Sequence, residues 1–92
     1  MERFSVKNQN TAHRMLADEV LVVNFHSSFF YNFNPVGAQI WERCDGRHTV
    51  AQIAGELAEE YDVTLEAATR DCRQFTEELV EQGLLQWRGE PA

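Results

Sequence analysis

Three histidines, two cysteines and fifteen carboxylates are the groups in this 92-residue sequence able to act as bases, nucleophiles or metal ligands. Structural zinc takes Cys and His in closely spaced pairs. His13, His26 and His48 are scattered, and none pairs by spacing with another or with Cys44 or Cys72. No metal site is therefore expected. General acid–base catalysis requires titratable groups gathered around a reacting atom, whereas the carboxylates between Glu56 and Glu81 read as the solvated faces of helices. There is no Gly-rich phosphate loop and no cysteine triplet for an iron–sulfur cluster. Cys44 and Cys72 read as small buried apolar residues, and His48 as a loop residue beside a cap. The sequence thus predicts no catalytic residue, no cofactor and no enzymatic activity of its own.

The polypeptide backbone offers a different chemistry. In Phe29–Phe33, Phe29, Tyr31 and Phe33 share one parity and Phe30 and Asn32 the other, as a pleated strand requires. Asn34 can cap a helix and Pro35 suits its first position, where no N–H is needed. Upstream, His13–Leu16 and Val20–Phe25 read as strands joined through Ala17-Asp18-Glu19, and His26-Ser27-Ser28 turns into the third. Three sequential strands with short links make an antiparallel meander. Helices follow from Pro35 to Cys44, from Val50 to Tyr61 and from Leu65 to Gln82. Asp45-Gly46 stops the first, Thr49-x-x-Gln52 is a capping box for the second, Thr64 caps the third and Gly83 ends it. Leu84–Trp87 returns as a short strand or tail. The predicted fold class is α+β, winged-helix-like, with a three-stranded antiparallel N-terminal sheet followed by three helices. If strand order is sequential, the third strand lies at an edge, and its free N–H and C=O groups invite another strand.

Ninety-two residues make one domain. Residues 1–10 are expected to be loosely ordered, residues 11–88 to form the domain, and residues 89–92 to be a tail. No apolar run approaches the roughly 20 residues that span a bilayer, the N-terminus lacks a signal-like apolar region, and two cysteines make no disulfide framework. These features point to a reduced, bacterial-type cytoplasm and to no membrane partner. The net charge of −7 is uneven. Residues 1–48 are balanced, with five basic and five acidic side chains, while residues 49–82 set nine acids against Arg70 and Arg73. Nucleic-acid binding rests on cationic contacts to phosphate, so a nucleic-acid partner is not expected.

The pattern Tyr31-x-Phe33-Asn34-Pro35-x-x-Ala38-x-Ile40-Trp41, followed by Asp45-Gly46-x-x-Thr49-Val50-x-x-Ile53, resembles the PqqD-like family of peptide-binding domains, also called RiPP recognition elements. Leu57-Ala58-x-x-Tyr61, Asp71 with Phe75, and Gly83-Leu84-Leu85 extend the resemblance over roughly Glu19 to Leu85. Phe33 departs from it, since the family more often has Leu there. The resemblance implies a non-catalytic peptide chaperone. It would bind the leader of a ribosomally made precursor peptide by strand addition on the third strand, in a cleft against the third helix. The leader would then be presented to a modifying enzyme such as a radical SAM protein, as in pyrroloquinoline quinone (PQQ) biosynthesis, or a peptidase.

The expected peptide-binding residues are Ser28, Phe29, Phe30, Tyr31, Asn32 and Phe33, with Thr69, Cys72, Arg73, Thr76 and Val80 flanking the apolar stripe of the third helix. Phe29, Tyr31 and Phe33 are expected to face the core, and Phe30 to line a site or pack under the first strand. A monomer or a homodimer fits this reading. Two rivals are a winged-helix DNA-binding regulator and a dimerising structural subunit whose third strand pairs with its own copy.

Overall fold

The computed structural model describes residues 3–91. Met1 and Glu2 of the expected loose segment, and Ala92 of the expected tail, lie outside the described residues. The first element is one that sequence reasoning missed. Phe4–Lys7, assigned above to a loosely ordered segment, forms strand β1. It gives no hydrophobic signal because the residue it buries completely is Ser5, while Phe4 and Val6 are only half-buried.

Strands β2 (Thr11–Leu16), β3 (Glu19–Asn24) and β4 (Phe29–Phe33) make the predicted antiparallel meander in the order β2-β3-β4. Helix α1 (Pro35–Glu42) follows at once, with Asn34 Oδ1 accepting from the Gly37 amide at 2.9 Å and Pro35 in its first turn. α1 ends before Asp45-Gly46 as expected, and those residues begin a strand the sequence did not show, β5 (Asp45–Thr49), which pairs with β1 through Phe4↔Thr49 and Val6↔Asp45. Gly46 is buried there at φ 80°, a left-handed conformation open to glycine at little cost.

The capping box opens α2 (Val50–Glu60). Thr49 N donates to Gln52 Oε1 at 2.9 Å, and Gln52 N donates to Thr49 Oγ1 at 3.2 Å. Thr64 caps α3 (Leu65–Glu81), whose end is a Schellman motif. Gly83 takes φ 80°, Leu84 N donates to Leu79 O at 2.9 Å, and Gly83 N donates to Val80 O at 3.1 Å. The chain then returns as β6 (Leu85–Arg88), antiparallel to β1. Two three-stranded sheets, β2-β3-β4 and β5-β1-β6, therefore stand where the sequence predicted one.

The core gathers Val20 and Val22 from β3, Ala38, Ile40 and Trp41 from α1, and Ile53, Ala54 and Leu57 from α2. Ala68, Cys72 and Leu79 of α3 complete it, together with Leu84 and Leu85. Three asparagines tie the sheets to the end of α3, whose last carbonyls lack helical partners. Asn8 Nδ2 donates to Gly83 O at 2.8 Å and Asn24 Nδ2 to Gln82 O at 3.1 Å, while Asn10 Nδ2 donates to Asn24 Oδ1 at 2.9 Å. This latch sets the height of β4 against α3. Among the described residues no helix is long and apolar enough to cross a membrane.

Candidate functional site

β4 pairs with β3 on one side and, among the described residues, has no strand on the other. The ladder determines which backbone groups face outward. β2 and β3 turn through Ala17-Asp18 with Leu16↔Glu19 as the closing pair, and Phe25 N donates to Asn10 O at 2.8 Å. In an antiparallel ladder bonded and non-bonded pairs alternate, so Glu19, Leu21 and Val23 spend their backbone groups on β2. Val20, Val22 and Asn24 then bond β4 through Phe33, Tyr31 and Phe29. The N–H and C=O of Phe30 and Asn32 are consequently left pointing out of the sheet.

The side chains of β4 divide between two faces. Tyr31 and Phe33 lie on the inner face as expected. The Phe33 ring is 6.0 Å from that of Trp41 and 5.0 Å from that of Phe75, and Tyr31 Oη donates to Gln82 Oε1 at 3.2 Å. Phe29 shares their parity but is 63% exposed, against expectation. It pairs with Asn24 at the level where α3 ends, so no helix remains to cover it. Phe30, 70% exposed on the outer face, borders a shallow groove of about 150 Å³ with Ala12, Arg14, Leu21 and Val23. Ser28 precedes the ladder, in a turn at φ 62°, donating its amide to Asn24 O at 2.8 Å.

The α3 candidates need correction. Cys72 and Thr76 are completely buried, and Thr76 Oγ1 donates back into its own helix, to Cys72 O at 2.9 Å. Phe75 meets Phe33 and Gln82 meets Tyr31, so the stripe Asp71, Phe75, Glu78 and Gln82, spaced i, i+4, i+7, i+11, faces β4. Thr69, Arg73 and Val80 lie on the opposite flank. Thr69 and Arg73 border a separate groove with Leu65 and Glu77, and Val80 packs partly against the core. Polar residues border both sides of the buried stripe of α3, so amphipathicity alone does not select the flank that faces β4. The signal was present in the Asp71–Phe75 pair of the family pattern.

At the Phe33 end of the cleft lies a groove of about 320 Å³ bordered by Asn32, Phe33, Val36, Gly37, Asp71 and Phe75. Gly37 makes the close approach possible. A Cβ there would sit 3.1 Å from Phe33 Cβ and 3.2 Å from Phe75 Cε2. Edge, aromatic floor and helix stripe together can hold an extended chain through its backbone.

Both cysteines are buried, and a charged network around Arg43 and His48 lies outside the cleft. Burial pushes both the Cys44 and the Cys72 thiol up to about 11. Arg43 Nε is 2.9 Å from Glu56 Oε1 and its Nη2 3.2 Å from Glu60 Oε2, while His48 lies 3.0 Å from both Asp45 Oδ1 and Glu56 Oε2. This network braces β5 and the end of α1 against α2, away from β4.

A family model described as coenzyme PQQ synthesis protein D (PqqD) matches residues 19–85. No curated protein matches the chain in sequence. Solved structures with the same fold include TbiB1 in complex with the TbiA(beta) leader peptide, at 23% identity and a TM-score of 0.81, covering 88% of this chain and 94% of that one. Another is lasso peptide synthetase B1 complexed with the leader peptide, at 22% identity and a TM-score of 0.81, covering 89% of this chain and 96% of that one.

Proposed function

The chain belongs to the PqqD family, and from that membership we propose that it is a non-catalytic peptide chaperone. It captures the leader of a ribosomally made precursor as a fourth strand beside β4 and presents that precursor to a modifying enzyme. The observation that carries this reading is the open edge of β4, with Phe30 and Asn32 facing outward beside the stripe Asp71, Phe75, Glu78 and Gln82. Strand addition takes affinity from such backbone groups and selectivity from alternate side chains. The folds it resembles are held with leader peptides, in TbiB1 and in lasso peptide synthetase B1.

The domain supplies no bond-making group of its own in this reading. Its contribution is effective concentration, since tethering a precursor beside its enzyme makes their encounter intramolecular. A radical SAM protein of the PQQ type or a leader peptidase of the lasso type are the enzyme classes to test. Free buried thiols at Cys44 and Cys72 fit work in a reducing cytosol.

The test is titration of the isotopically labelled protein with the short peptides encoded beside its gene. One of them is expected to shift the amides of residues 29–33 and of the 71–82 face of α3. If every such peptide leaves those amides unmoved, the reading is wrong.

A further inference from the structure

Resting on that reading, we infer that the cleft selects a leader carrying Lys or Arg two residues from a large apolar side chain, on the inward face of the docked strand. The spacing follows from the two elements. A strand added to β4 turns every second side chain inward, about 6.8 Å apart. Phe33 lies against Phe75 and Tyr31 against Gln82, so α3 runs antiparallel to β4 and its stripe advances about 10 Å over those seven residues. An inward side chain level with Phe33 enters the groove of Phe33, Val36, Gly37 and Phe75, whose walls are mainly apolar.

The next inward position, level with Tyr31, meets Glu78, which lies on the stripe between Phe75 and Gln82. The inward position on the other side meets Asp71, at the rim of the same groove. Each apolar contact is therefore flanked by a carboxylate at the step where the next side chain arrives. Gln74 Nε2 lies 3.3 Å from Glu78 Oε1, and Arg70 Nε lies 3.5 Å from Asp71 Oδ1 with both side chains more than 60% exposed. Neither contact closes off its carboxylate, and the flank of α3 that carries Arg73 faces away. A leader with acidic residues at these steps would be repelled.

The experiment is selection of a displayed library of random twelve-residue peptides on the purified 92-residue protein at low ionic strength. Bound peptides are expected to be enriched in Lys or Arg two positions from a large apolar residue. A net charge of −7 attracts any cationic peptide, so a charge-matched control is needed. D71N/E78Q is expected to weaken a selected peptide about five-fold, in line with two partly exposed ion pairs. E59Q/E77Q, which removes equal charge away from the cleft, is expected to leave that affinity unchanged. All four carboxylates are exposed, so none of these changes threatens folding. Peptides that move the amides of residues 29–33 without cation enrichment, or equal losses in the two double variants, would overturn the inference and leave edge docking standing. A library yielding no peptide that moves those amides would remove both.

Discussion

At the residue scale, two side chains separate a structural role from a binding one. Thr76 was expected in the cleft but is fully buried, and its hydroxyl only back-bonds carbonyls that already belong to the α3 ladder. Thr76→Val should therefore leave no orphaned partner. Its stability is expected within about 1 kcal/mol of the parent, and its peptide affinity unchanged; a loss of affinity with an intact melting transition would return Thr76 to the cleft. Glu56 and Asp45 carry the pH dependence. The hydrogen bond from Arg43 holds the Glu56 carboxyl below its ordinary value of 4.5. Burial pushes Asp45 upward, but hydrogen bonds from His48 and the Arg47 amide outweigh it, and the net shift is downward. A depressed carboxylate adds stability above its unfolded pKa and loses it as pH falls through the lower folded one. Urea midpoints are thus expected to fall between about pH 5 and 3, near and below ordinary carboxylate values, and Glu56→Gln should flatten that fall.

At the scale of elements, the alternation of ladder bonds makes two neighbouring positions on β4 unequal. Proline is tolerated on an edge strand where the missing N–H faces solvent, and costly where it removes a ladder bond. Asn32 faces outward, and its side chain adds only an exposed hydrogen bond to Glu19 at 3.1 Å. Asn32→Pro is expected to stay folded and lose peptide binding, whereas Tyr31→Pro should cost about 3 kcal/mol or more; circular-dichroism melts and peptide titration of both variants check the pair, and binding by the Asn32→Pro protein would sink edge docking. The meander and the three helices were legible because Val20, Val22, Trp41, Ile53 and Leu79 fall on the right periods and Asn34, Thr49 and Thr64 mark the starts. β1 and β5 were not, because Ser5, Gly46 and Thr49 are what they bury, and none is an apolar signal. These short strands exist because a distant backbone lies alongside, which no local pattern encodes. The edge of β4 was legible from strand order, but the α3 flank facing it was not, since only the contacts of Phe75 and Gln82 settle the helix's rotation about its axis.

At the scale of the whole molecule, β1 and β6 join the two ends of the chain, and the radius of gyration of 12.6 Å is close to the value of about 12 Å for a compact chain of this length. Charge is sorted across that unit. The N-terminal half is neutral, and the excess of −7 lies on residues 49–82, which include α2 and α3. In a winged-helix regulator the helix placed like α3 would enter a DNA groove, and the same arrangement of helices permits that here. Yet α3 carries Asp71 and Glu78 toward β4 and Glu77 and Glu81 elsewhere, with Arg70 and Arg73 its only basic residues. Binding to duplex DNA draws much of its free energy from neutralising phosphates, with an affinity that rises steeply as salt is lowered. A helix bringing more carboxylates than guanidiniums to that surface loses at low salt, where attraction would be strongest. The protein is therefore expected to leave the anisotropy of a labelled random-sequence duplex unchanged even in dilute buffer, under conditions where a cationic peptide selected on the cleft still binds. Salt-sensitive retention of the duplex, competing with that peptide for α3, would reverse the assignment and make the acidic helix a regulator's reading head after all.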